Sequence, residues 1–155
     1  MSGSCRMTGD WHQVNVTLNR IHSDLVPTLK AKISEDGEVV LEKLTGHIYS
    51  GDLGWTPLSP DTIRLKQGNG TVLIETGSLA ASFTLQRFEF ETGITVFIGI
   101  PEGASHPSGV SASTLMLWIE QGTSRMPARP LIQPTYEEIK ELLPEGWMDV
   151  IKQFM

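Results

Sequence analysis

Ile94, Val96, Ile98 and Ile100 recur with a period of two, the spacing that puts the apolar side chains of a strand on one face. Phe83 and Leu85 have the same spacing upstream. Phe88 and Phe90 then follow one residue out of phase, before a turn at Glu91-Thr92-Gly93. Residues 83–100 therefore read as a β-hairpin, with a bulge near Gln86-Arg87 to absorb the phase shift. On both sides of it the apolar period changes to three or four. Val14, Leu18, Ile21, Leu25, Leu29 and Ile33 form a helical stripe that outweighs the shorter alternation of Val14, Val16 and Leu18. Asp10 and Gln13 stand before it at capping-box spacing. Pro27 is expected to kink or restart this helix, because proline removes a backbone donor. A second helix reads from about Glu35 to Ser50, with Val40, Leu41, Leu44 and Ile48 on one face, and Gly51-Asp52-Leu53-Gly54 ends it. The fold class that follows is α+β, an antiparallel hairpin packed with N-terminal and C-terminal helices.

The segments between are turn chemistry and short helices. Ser59 caps a helix that has Pro60 in its first position, and Gln67-Gly68-Asn69-Gly70-Thr71 is a turn. In Leu73-Ile74-Glu75-Thr76-Gly77-Ser78-Leu79-Ala80-Ala81-Ser82 an acidic-Thr-Gly corner opens a small-residue helical turn, with Thr76 as its cap. Gly77 permits a close approach or an unusual backbone angle there. Pro101–Ala112 is a Gly-, Pro- and Ser-rich loop, expected to be mobile before assembly. Leu115, Trp118 and Ile119 mark a short helix, and 122–130 is extended. Thr135-Tyr136-Glu137-Glu138 is a second capping box for a helix that buries Tyr136, Ile139, Leu142 and Leu143 and stops at Pro144. A last helix carries Trp147, Val150, Ile151 and Phe154.

At 155 residues the chain is expected to form one domain over 10–155, preceded by a flexible polar arm at 1–9. A net charge of −6 with no Lys/Arg cluster argues against a primary nucleic-acid binder. Cys5 is the single cysteine, so no disulfide forms within the chain. No apolar run reaches membrane-spanning length.

The search for chemistry yields little. His12, His22, His47 and His106 are scattered without metal-ligand spacing, so no metal and no cofactor is expected. No nucleophile elbow is present, and Ser78 beside Gly77 reads as a polar helix start. Asn69-Gly70 near Lys66 and Thr71 lacks the Gly-Lys-Ser/Thr ending of a phosphate loop. Glu137-Glu138 is accounted for by capping and the helix dipole. Trp55 and Trp118 read as core residues. Arg129, stiffened by Pro127 and Pro130, is placed for a bidentate pair with a carboxylate. That carboxylate is Glu120 within the chain, the reading preferred here, or an acid on a neighbouring protomer.

Taken in order, Trp55-Pro57-Leu58-Ser59-Thr62-Lys66, then Leu73-Ile74-Thr76-Gly77-Leu79-Ser82, Ile98-Gly99, Glu120-Gly122 and Pro127-Ala128-Arg129-Pro130-Leu131 resemble the phage virion-morphogenesis or tail-completion family. That family overlaps with neck and minor tail components. The chain departs from the pattern at Pro101–Ala112, which intervenes before the Glu-Gly step, and at Leu131, where the family often has Phe. The resemblance implies a structural, non-enzymatic protein of the virion that forms a homo-oligomeric ring at the head–tail junction around the DNA channel. It would meet the portal-side head connector and the tail terminator or tail-tube proteins, with no membrane, after assembly in the host cytoplasm. The assembly residues it implies are Trp55, Pro57, Leu58, Thr62, Lys66, Thr76, Gly77, Leu79, Glu120, Gly122, Arg129 and Pro130. Two other readings stand beside it: a small enzyme or toxin-like effector with an unrecognised site, and an adaptor of a contractile injection machine.

Overall fold

The computed structural model describes residues 9–154 other than Glu75 and Thr92, with Glu145 described by its backbone alone. The expected arm therefore lies outside the described residues except for Gly9, as do Cys5 and the central residue of the hairpin turn. The chain is α+β, in the order α1 (Trp11–Ser50), α2 (Pro60–Leu65), α3 (Ser78–Ala81), β1 (Thr84–Phe90), β2 (Gly93–Gly99), α4 (Ala112–Gln121) and α5 (Ile132–Lys152). Among the described residues no helix is long and apolar enough to cross a membrane.

The two expected N-terminal helices are one. α1 runs for 40 residues, about 60 Å at 1.5 Å per residue, through Pro27 and across Glu35. Asp10 caps it as expected, accepting from the Gln13 N–H at 3.1 Å. Pro27 takes the donor from one helical bond, the one to Ser23, without ending the helix. The central turns are held from outside. Lys32 Nζ lies 2.6 Å from Asp36 Oδ1, and Trp147 Nε1 donates to Asp36 Oδ2 at 2.8 Å, tying α5 to α1. Bonding to Asp36 raises the Lys32 pKa above its ordinary value. One turn on, Gly37 lets the sheet touch the helix backbone. A Cβ there would stand 2.7 Å from Val96 Cγ1 and 3.0 Å from Leu85 Cδ1. The first turns of α1 project beyond these contacts, and Trp11, Val14 and Leu18 are exposed.

β1 and β2 pair antiparallel in unbroken register from Thr84↔Gly99 to Phe90↔Gly93, so the expected bulge does not form. The phase shift is absorbed by burial instead. Leu85, Val96 and Ile98 share the face toward α1, with Val96 and Ile98 half-buried there. Phe88, Phe90 and Phe97 fall on the opposite face and stay exposed.

α5 is likewise continuous across Pro134 and Pro144. Pro134 is its third residue, within the first turn, where N–H groups have no partner inside the helix. Thr135 is not a cap: its hydroxyl donates to Leu131 O at 2.7 Å, and the residue is buried. Ile139 is buried as expected, but Tyr136 and Leu142 are exposed, as is Ile151. The core gathers at the C-terminal end of α1, where Leu44, Ile48, Trp55, Leu79, Phe83, Met116, Ile119 and Leu131 close on one another.

Candidate functional site

The segments singled out in the sequence meet at that end of the molecule. Trp55 is buried, and its indole Nε1 donates to Pro130 O at 2.8 Å, so the first segment is fastened to the last. Arg129 returns the connection, donating from its backbone N–H to Ile119 O at 2.7 Å and from Nη2 to Thr56 O at 3.3 Å. Gly122 makes this crossing possible. It has φ +76°, and a Cβ there would lie 2.7 Å from Ala128 N and 3.0 Å from Met126 O. Only glycine tolerates both that angle and that contact.

These segments wall a cavity of about 390 Å³. Leu58, Thr62 and Lys66 come from α2 and its flanks, Thr76, Gly77 and Leu79 from the corner, and Trp118 and Arg129 from α4 and the stretch before α5. Ser59 caps α2, accepting from Thr62 N at 3.2 Å. Thr76 Oγ1 accepts from Ser78 N at 3.3 Å, but Thr76 is not the expected cap: Gly77, in the left-handed region at φ 76°, holds the N-cap position of α3, which has no side-chain capping bond. Ala80 is buried and Ala81 is exposed. Lys66 Nζ donates to Thr71 O at 2.7 Å. Pro57 is exposed and lies outside the cavity lining. Trp118 is not a core residue. It is 43% exposed and forms part of the cavity wall.

The expected Arg129–Glu120 pair is absent. Glu120 turns to the start of α5, where Oε2 accepts from Leu131 N at 2.9 Å and Ile132 N at 3.2 Å, and Oε1 accepts from Gln133 N at 3.3 Å. Three unpaired N–H groups and the positive end of a helix dipole outcompete one guanidinium for this carboxylate. Arg129 is left only 6% exposed, its Nε has no acceptor, and among the described residues no carboxylate lies within ion-pair distance. A cation so placed carries a desolvation penalty of several kcal/mol with no partner charge to offset it.

The cavity also has contributors outside the expected assembly residues. Leu73, Met126 and His106 also line it. His106 comes from the 101–112 loop, which is closed on itself: Ala112 N donates to Ala104 O at 2.9 Å and His106 N to Val110 O at 3.2 Å. His106 Nδ1 lies 2.9 Å from Ser108 Oγ and also accepts from Ser108 N at 3.2 Å, so this pair completes a turn. A second cluster, also missed, fastens α5 to the end of α1. His47 is buried, with Nδ1 2.7 Å from Asp52 Oδ1 and Nε2 3.1 Å from Glu138 Oε2, and Lys43 pairs with Glu138. The His47 bond holds the Asp52 carboxyl below its ordinary pKa, and the Lys43 bond does the same for Glu138. Their fixed spacing in the sequence carries no signal, since Glu138 is brought to His47 by tertiary packing alone. No group of three or more His, Cys, Asp and Glu among the described residues is arranged to hold a metal ion.

Comparison of the chain with protein-family models, with curated proteins and with solved structures returned no match.

Proposed function

We propose that this chain is a structural subunit of a tailed-phage virion, a tail-completion or neck component that assembles as a homo-oligomeric ring between head and tail. One observation carries the reading. The first and last of the segments on which the resemblance rests are bonded to each other, Trp55 to Pro130 and Arg129 to Thr56, beside a cavity whose wall they share with Leu73, Thr76, Gly77 and Leu79. Such an arrangement is expected of a signature that maintains one binding surface. Two further features support it. The first turns of α1 and the outer face of the hairpin expose large apolar side chains, as an assembly protein does before its partners cover them. The cavity walls include Leu58, Leu73, Leu79, Leu115, Trp118, Ile119 and Met126, and the Arg129 guanidinium is buried beside them.

The test is the oligomeric state of the purified full chain, by native mass spectrometry and negative-stain electron microscopy, together with peptide mass mapping of virions from a phage that encodes it. Rings with a central channel and the protein's presence in the virion are expected. A protein that stays monomeric and is missing from complete virions would overturn the reading.

A further inference from the structure

Among the described residues, Arg129 carries the buried side-chain polar atom that the protomer leaves without a partner. Its side chain is more than nine-tenths buried, Nε has no acceptor, and Nη2 reaches only a backbone carbonyl at 3.3 Å. The walls around it include Leu58, Leu79, Trp118 and Met126. A guanidinium at the wall of an apolar cavity selects a carboxylate carried on an apolar body: the carboxylate takes the planar fork, and the body displaces water from the walls.

The chain itself displays such a group. At the hairpin tip Phe88 and Phe90 are 48% and 58% exposed, and Glu91 follows Phe90 directly, exposed and, among the described residues, without an ion pair. Glu89 is less suited, because it shares the strand face that carries Leu85 toward α1. Lys30 Nζ donates to Phe90 O at 2.6 Å and holds the tip against α1. The tip cannot enter its own cavity. Lys30 lies about 27 Å along α1 from Ile48, at 1.5 Å per residue, and Ile48 belongs to the core at the cavity end. The tip therefore lies against the middle of α1, while the cavity lies at its C-terminal end.

We propose that the cavity receives the hairpin tip of a second copy, with Phe90 against the apolar walls and the Glu91 carboxylate paired with Arg129. The contact joins two different surfaces of identical chains, so it repeats head to tail and closes into a ring when the rotation per subunit permits. It rests on the ring-forming reading above and specifies its interface. A two-stranded sheet is marginal alone, and docking would cover the exposed Phe88 and Phe90.

The experiment compares the wild-type chain with Phe90→Ser, Glu91→Arg, Arg129→Glu and the combined Glu91→Arg/Arg129→Glu by native mass spectrometry and sedimentation. A photo-crosslinking p-benzoylphenylalanine is placed at position 90 in parallel. Phe90 and Glu91 are exposed, so their variants should melt as the wild type does. They test the contact even if Arg129→Glu fails to fold. Expected are oligomers for the wild type, association weakened about a hundredfold or more for each tip variant, recovery in the double reversal, and crosslinks from position 90 to the Trp118 or Met126 peptide of another copy. If the tip variants assemble like the wild type, or the crosslinks map elsewhere, this interface is wrong while the ring reading stands. If millimolar acetate or benzoate dissociates nothing and the double reversal fails where both singles fold, the carboxylate pairing is wrong. A wild-type chain that never associates overturns the interface and the ring reading together.

Discussion

Replacing Arg129 by Met should make the free protomer more stable. The guanidinium makes one side-chain hydrogen bond, from Nη2 to Thr56 O at 3.3 Å, and Nε makes none. Losing a long bond of that kind costs about 1 kcal/mol. Against it stands the desolvation of a cation that is only 6% exposed, several kcal/mol with no counter-charge in reach among the described residues. Methionine fills much of the same volume with a flexible, apolar side chain. The balance favours Met by about 1–2 kcal/mol. In a domain of this size that raises the melting temperature by about 2–8 °C, since each kcal/mol moves it by about 2–4 °C. Differential scanning calorimetry of wild type and Arg129→Met at equal protein concentration, under conditions where both are monomeric, reads the difference directly. A variant that melts several degrees lower would show that the guanidinium is already satisfied in the free protomer, and the argument for an incoming carboxylate would lose its foundation. An internal Arg129–Glu120 pair would predict that same fall, so the sign of the shift separates the two arrangements.

The other expectations concern the scaffold. Glu120→Ala removes the acceptor of three N–H groups at the start of α5 and should cost about 2 kcal/mol, read as a lower urea midpoint with an unchanged slope, while Glu120→Gln should lose about half of that. Gly37→Ala gains about 1 kcal/mol in helix propensity but drives a Cβ to 2.7 Å from Val96 Cγ1, so a net loss of about 1–2 kcal/mol is expected, and Val96→Ala in the same chain should recover part of it. A double-mutant cycle with no coupling between these two positions would contradict the packing of sheet on helix. The acid limb of stability follows from Asp52 and Glu138. Both carboxyls are held below their ordinary pKa, so the stability they contribute is present above the unfolded values, near pH 4, and is lost as pH falls through the lower folded values. The melting temperature of Asp52→Asn should therefore fall less than that of the wild type between about pH 4 and pH 2.

Much of the architecture was legible because it is local. The period-two run 94–100 gave a strand, the stripe from Val14 gave a helix, and Asp10 and Ser59 each accept the N–H that their spacing implies. The boundaries went astray where distant residues decide. Pro27 and Pro144 read locally as breaks, yet the helices run through them, because Asp36 and Gly37 on one and Trp147 on the other are held by tertiary contacts. The bulge expected at Gln86-Arg87 assumed that every phenylalanine seeks the core. The strands instead keep register and leave Phe88, Phe90 and Phe97 outside.

The site was legible as a set of segments and illegible as a set of pairs. Arg129, between its prolines, is buried, and residues from three of the ordered motifs line one cavity. What spacing could not show is the competition for Glu120. Between Glu120 and Arg129 the attraction is one charge for another. Between Glu120 and the start of α5 it is one charge for three donors whose positions the helix has already fixed, so little further ordering is needed. The outcome turns on where α5 begins, and that in turn depends on Pro134 being tolerated in its first turn and on Thr135 bonding backward to Leu131 rather than capping forward. Once Glu120 is committed there, Arg129 has no acid within ion-pair distance among the described residues. The same residue that stabilises α5 thereby leaves a buried cation whose natural complement is a carboxylate from outside.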